Sequence, residues 1–408
     1  MRLSRNNVAA AFAQGDVMTV SSRARLRRFW FLVHMWIGVG LFLVLIPLSL
    51  SGSWLVWRPE LDRMQHPARY PTGAGPAALP VSAYLASAQA ALGDRARVAT
   101  IRMPAHAGDP VIVQAQVRRA ERTEGQPRPA HQPNLSVWLD PASGKALDVA
   151  DPRGGLSGFA HDLHGQLFMF GGGRQVVGWL GVLMLGSCLT GLWLWWPKAG
   201  PLTLGFRWRR GPGVLINLHY LTGFWIAVPL AVLSLTGALV AFPQFTRGMV
   251  AMTAPVSPAQ ARRDVGRPLG RTALTPDQAA SAAVTAAGGG KLLSLALPSK
   301  SPAPPAWRIQ VARAGGAPAN VSVADALGAA ATLQPADRRT SGDQLIRLNR
   351  QIHDGDDAPL IWKLIITLAG LAPALLGTTG VIVWARSQLR KAALRRTQAA
   401  LVEPAPVA

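Results

Sequence analysis

Two histidines stand inside long apolar runs, and each is followed four residues later by glycine: His34-Met-Trp-Ile-Gly38 and His219-Tyr-Leu-Thr-Gly223. Fifteen residues after each histidine a small-residue motif begins, Ser49-Leu-Ser51-Gly52 in one copy and Ser234-Leu-Thr236-Gly237 in the other. A second pair repeats in the same way, as Leu163-His164-Gly165 and Ile352-His353-Asp354-Gly355. Thr190-Gly191 and Thr379-Gly380 follow these by twenty-six residues, with Gly181 and Gly370 in the same register. A histidine within hydrocarbon is costly and marks function. Imidazoles approaching one centre from opposite sides match the axial ligation of a b-type haem. Gly38 and Gly223 share a helix face with their histidines and leave room for a macrocycle. Thr190-Gly191 and Thr379-Gly380 are expected to wall the same pocket, and Ser51-Gly52 and Thr236-Gly237 a second one. The expectation is two haem b groups, one held by His34 and His219 and one by His164 and His353, forming an electron path across a bilayer.

His161 lies three residues before His164 and shares its helix face. It is an alternative ligand, or a ligand for a substrate metal. The repeat favours His164, because Arg350 occupies the position equivalent to His161. His66, His106 and His131 have no repeat partners and read as exposed side chains. Asp356-Asp357 reads as a solvated helix entry. No phosphate loop, zinc spacing or nucleophile elbow is present; Gly171 to Gly173 follow no strand.

The elements that must position these groups are membrane spans. The chain of 408 residues is 49% hydrophobic and 15% charged, with a net charge of +22. That charge would suit nucleic acid, but the basic residues flank apolar runs, so the partner is membrane lipid and not nucleic acid. Cys188 is the only cysteine, which excludes an intrachain disulfide. Four spans are expected at 29–57, within 164–197, at 214–242 and within 353–385. The first is too long for a signal-peptide core and lacks a small-residue cleavage site. Arg23 to Arg28, then Lys198, Arg207, Arg209 and Arg210, then Arg386, Arg390, Lys391, Arg395 and Arg396 fall on one side, which makes it cytoplasmic. Tails at 1–28 and 386–408 and the loop 198–213 share that side, and Trp54, Trp57, Trp193, Trp195, Trp196 and Trp384 mark span ends.

Segments 58–163 and 243–352 then lie outside, each as a small α+β domain. The first reads as a helix over 81–92 and strands over 98–102, 111–117 and 135–139. The second repeats the order, with a helix over 275–287 and strands over 292–297, 307–312 and 321–325. The fold expected is a mainly α membrane protein of four transmembrane helices, arranged as two repeated hairpins about a pseudo-twofold axis, each with its α+β periplasmic domain. The glycines at 171–173 leave the segment carrying His164 as a separate interfacial helix or a re-entrant one.

His34-x-x-x-Gly38 with Ser49-Leu-Ser-Gly52, His161-Asp-Leu-His164-Gly165, Thr190-Gly-Leu-Trp-Leu-Trp-Trp-Pro197 and Leu218-His219-Tyr-x-x-Gly223 together resemble the PepSY-associated transmembrane family. Leu135 to Gly144 resembles the end of a PepSY domain. The family includes iron-regulated inner-membrane proteins of Gram-negative bacteria, among them di-haem siderophore reductases. The resemblance implies reduction of ferric siderophore iron in the periplasm, with a quinol or a cytoplasmic reductant as donor. Asp325-Ala-Leu-Gly328 departs from the Asp-Pro-x-x-Gly turn. Two other classes stay open: a non-enzymatic PepSY-type binding or anchoring protein, and a siderophore or iron transporter.

Overall fold

In a computed structural model of the chain, residues 22–70, 75–106, 108–117, 134–169, 171–197, 203, 206–207, 211, 213–257, 267–300, 304–313, 318–328, 331–334, 340–356 and 358–402 are described. The readings at His131, Lys198, Arg209, Arg210, Asp357 and the tail before residue 22 lie outside them. Two compact units emerge, one of Met1–Ser53, Gly178–Ala238 and Leu360–Ala408, the other of Trp54–Val177 and Leu239–Pro359.

The first unit is helical. Four helices are long and apolar enough to cross a membrane: α1 (Ser22–Val56), α5 (Gly173–Trp195), α6 (Val214–Ala241) and α10 (Leu360–Val402). Large apolar side chains such as Leu43, Trp225 and Leu368 face outward, as a lipid solvent requires. Helix contacts run through small residues. A Cβ added to Gly181 would lie 3.1 Å from the Ser234 carbonyl and 3.4 Å from the Ala238 Cβ, so α5 crosses α6 there. One added to Gly370 would strike the Ser53 hydroxyl and come within 2.9 Å of the Ser49 carbonyl, so α10 crosses α1. These contacts keep the sequence register, Gly181 with Gly370 and Ser234 with Ser49. The Ser53 hydroxyl donates to the Thr367 carbonyl at 3.2 Å. Ser51 and Thr236 turn their hydroxyls onto their own helices, to Leu48 and Val232 carbonyls at 2.8 Å each. The basic residues beyond the fourth span, Arg386 to Arg396, continue the same helix.

The second unit is an antiparallel sheet with helices. Its short helices are α2 (Arg58–Gln65), α3 (Val81–Leu92), α4 (Gly155–Gln166), α7 (Pro243–Ala251), α8 (Pro276–Ala286) and α9 (Ser341–Asp354). The strands are β1 (Ala96–Arg102), β2 (Val111–Val117), β3 (Asn134–Leu139), β4 (Ala146–Ala150), β5 (Lys291–Ala296), β6 (Ala306–Ala312), β7 (Ala319–Ala324) and β8 (Ala331–Gln334). Two separate small domains were expected. The strands instead form one eight-stranded sheet in the order β4-β3-β2-β1-β5-β6-β7-β8. The seam pairs Thr100 with Ala296, Ile101 with Leu295 and Arg102 with Ser294. β1 and β5 also shift register at the same place, between Val98 and Thr100 and between Leu292 and Ser294.

Period-two alternation buries Val111, Val113 and Ala115, Trp307, Ile309 and Val311, and Ala319, Val321 and Val323. α3 and α8 contribute Tyr84, Leu85, Ala88 and Leu92 with Ala279 and Ala283 to the same core. Thr275 caps α8 in a capping box with Gln278. Asp140 closes its turn by accepting the Ser143 and Ala142 amides at 2.7 and 3.0 Å. Asp325, at the equivalent position, accepts the Trp307 indole N–H at 3.0 Å and the Leu274 amide at 3.0 Å. The altered turn in the second half thus trades local closure for a tie between β6 and the entry to α8.

Candidate functional site

Each unit holds one histidine pair. In the helical unit, α1 and α6 bring His34 and His219 together with ring centroids 6.3 Å apart and planes at 86°. The ring of His34 is held by α5: its Nδ1 lies 3.1 Å from the Ser187 carbonyl and 3.2 Å from the Thr190 hydroxyl. A carbonyl only accepts, so Nδ1 carries the proton and Nε2 keeps its lone pair. α10 treats His219 alike, with Nδ1 3.1 Å from the Thr379 hydroxyl. Both threonines direct their hydroxyls to carbonyls one turn back, Thr190 to Gly186 and Thr379 to Leu375, each at 2.8 Å. Their remaining lone pairs are thereby turned to acceptance from Nδ1.

The adjoining glycines set ring position. A Cβ on Gly191 would sit 3.1 Å from the His34 Cε1, and one on Gly380 would sit 3.5 Å from the His219 Cε1. Thr190-Gly191 and Thr379-Gly380 were expected as clearance for a macrocycle. They prove to grip the imidazoles, threonine by hydrogen bond and glycine by close approach. Open space lies instead beside Gly38, where a Cβ would meet nothing within 4 Å, and beside Gly223, where only Leu376 comes within 3.8 Å. Gly38, Gly223 and both histidines line a cavity of about 1280 Å³. Ser187, which sequence reasoning missed, has Leu376 in the equivalent register.

In the sheet unit, His164 on α4 and His353 on α9 stand with centroids 6.0 Å apart and planes at 26°. Both occupy the last turn of their helices, which end in the left-handed residues Leu167 and Gly355. Leu167 and Phe168 are consecutive non-glycine residues at positive φ, 52° and 56°, a strained exit just beyond His164. α9 is anchored at its start by Asp343. The carboxylate accepts from the Ser257 hydroxyl, from the Ser257 amide at 3.2 Å and from Thr340 at 3.0 Å. These bonds, the Ser257 hydroxyl first, hold the Asp343 carboxyl below its ordinary value. His161 is exposed, one turn before His164, and His353 has His164 as its ring partner. Arg350, the counterpart of His161, pairs with Asp354 at 2.9 Å. His106 is exposed beside Asp109, and His66 lies 4.0 Å from Asp62.

Two imidazoles bound to one metal through nitrogens about 2 Å away would set their centroids about 6 Å apart. Both pairs meet that spacing. Among the described residues no group of three or more His, Cys, Asp or Glu could hold a metal ion. Two imidazoles without further protein donors among the described residues fit a metal whose other ligands come from a macrocycle. No curated protein matches the chain. The family model for the PepSY-associated TM region matches residues 31–387, and the chain belongs to that family.

Proposed function

We propose that this protein is a di-haem b reductase of the bacterial inner membrane, passing electrons to ferric siderophore iron in the periplasm. In this reading the basic span ends and both termini are cytoplasmic, the sheet unit is periplasmic, and the two halves are repeats. The observation that carries the proposal is the state of the His34/His219 pair. Each imidazole has its Nδ1 engaged by a neighbouring helix, its Nε2 available, and a cavity beside it.

Haem b, when bound, supplies a one-electron centre to each pair. The chain's own residues do the rest. Thr190, Ser187 and Thr379 hold the Nδ1 proton and so fix the tautomer that ligates. Gly191 and Gly380 seat the rings, and Gly38 and Gly223 keep the space beside them open. His164 and His353 present the second pair on helix ends, where the dipole favours positive charge. One quinol gives up two electrons and two protons, enough to reduce two ferric ions, each taking one electron. Hard oxygen ligands lose most of their hold when the ion becomes ferrous, so the chelate releases it.

The test is a pair of oxidised and reduced visible spectra on the detergent-purified protein, with haem quantification. We expect a b-type spectrum and about two haems per chain. His219→Ala should lower this to about one. Absence of haem would support the binding-protein or transporter readings instead. A full complement in His219→Ala would show that the pairs are drawn wrongly.

A further inference from the structure

The 1280 Å³ cavity beside His34 and His219 is not uniform around its rim. Most of its lining is aliphatic, aromatic or glycine. At one end the start of α1 and the later turns of α10 contribute Arg28, Trp384, Gln388 and Lys391, with Arg27 alongside. Arg27 is already engaged, its guanidinium donating to the Leu194 carbonyl of α5. No Asp or Glu is found among the described lining residues. The Trp384 indole N–H is buried and lacks a hydrogen-bond partner among the described residues.

The corresponding end of the other helix pair is different. There Trp195 stacks on Phe224 with centroids 4.1 Å apart, and Phe206 packs edge-on against both at 5.4 and 5.0 Å. The counterpart of Trp384 thus sits in an aromatic cluster, while Trp384 lines the cavity together with Arg28 and Lys391. Basic residues at span ends are ordinarily accounted for by the anionic membrane surface. Arg28 and Lys391, though exposed, differ in lining the same cavity as both imidazoles, a cavity that Trp384 lines as well. Arg28 is six residues before His34, about 9 Å along the helix.

From this we infer that Arg28 and Lys391, with the Trp384 N–H, form a carboxylate receptor for the two propionates of the tetrapyrrole held by His34 and His219. The carboxylate edge of the ring faces the basic ends of α1 and α10, and its apolar edge faces the aromatic and aliphatic lining. The inference rests on the haem reading and adds the ring's orientation to it. A charge-assisted hydrogen bond from Arg or Lys to a carboxylate is about twice as strong as a neutral one. The buried indole donor would have no such use if the cations served lipid phosphate alone.

The experiment uses the full chain, produced in haem-deficient cells and purified in detergent. It is titrated with haem b and, separately, with haem b dimethyl ester, whose carboxylates are masked. The component absent in His219→Ala reports this site alone. We expect the free acid to bind at least tenfold tighter than the diester. Arg28→Gln/Lys391→Gln should shrink that preference to under threefold while leaving diester binding unchanged. Trp384→Phe should narrow it by a smaller factor. Equal binding of acid and diester to the unaltered chain would overturn the inference and leave the haem reading standing, with the cations assigned to anionic lipid. A preference that persists in the double variant would also overturn it. Failure of both forms to bind would overturn the haem reading and this inference together.

Discussion

The two histidine pairs share a spacing and differ in almost everything that holds it. His34 stands well inside α1 and His219 in the second turn of α6, with planes at 86° and each Nδ1 bonded to a neighbouring helix. His164 and His353 stand in the last turns of helices of 12 and 14 residues, with planes at 26°. The first pair is positioned by long helices whose crossings are fixed by glycine. The second depends on how α4 and α9 are anchored and terminated. Pair geometry therefore has two sources in one chain, side-chain hydrogen bonds in the helical unit and helix ends in the sheet unit.

The largest effect should come from filling the cavity. A Cβ added at Gly38 meets nothing within 4 Å, so Gly38→Leu directs its branched end into the cavity, and the chain should fold as before and yet lose all haem at the first pair while keeping the second. Haem content with circular dichroism checks this, and retention of both haems would show that the cavity is not where the ring lies. Next come the Nδ1 partners. Thr190→Val or Thr379→Val should weaken haem at the first pair by about 10- to 100-fold, the range for a lost second partner of a ligating histidine. Equal weakening of the second pair in the same titration would erase the difference between the two pairs.

A smaller effect should follow at the foot of α9. Asp343→Asn should weaken the second pair by less than about tenfold, the scale of one cap interaction. Its carboxyl lies below the ordinary value in the folded state. The stability it contributes is therefore complete above the unfolded value, near pH 4, and is lost as pH falls through the lower folded value. The unaltered chain should therefore lose stability as pH falls below about 4, and the Asn variant, which lacks this titrating group, should show a flatter acid limb. The smallest effect is spectroscopic. Perpendicular imidazole planes leave the iron orbitals that meet them nearly equal in energy, whereas parallel planes split them. Electron paramagnetic resonance should thus give a more anisotropic ferric signal from the first pair, and His219→Ala should remove that signal selectively.

How far these features were legible in the sequence depends on how far apart their causes lie. His34 and His219 stood out because an apolar background makes a polar residue conspicuous. β2 and α3 were readable to the residue, since alternation and helical content are local. β4 and β8 were not, being short edge strands with little burial contrast. The seam between β1 and β5 joins residues nearly two hundred positions apart, and no local pattern announces it. Thr190 and Thr379 were visible as small residues, but their use was not. Which imidazole a helix faces is set by the crossings at Gly181 and Gly370, and a sequence does not state crossings.

The seam has a consequence for how the chain can be divided. Ile101 faces Leu295, and the flanking pairs, Thr100 with Ala296 and Arg102 with Ser294, are each other's mirror in register. Such an edge is self-complementary, as in an isologous dimer contact. A chain cut between α5 and α6 should therefore yield two fragments that find each other when produced together. Either fragment made alone carries an uncovered strand able to pair with its own copy. Fusion of the halves into one polypeptide replaces that competition with a single intramolecular choice.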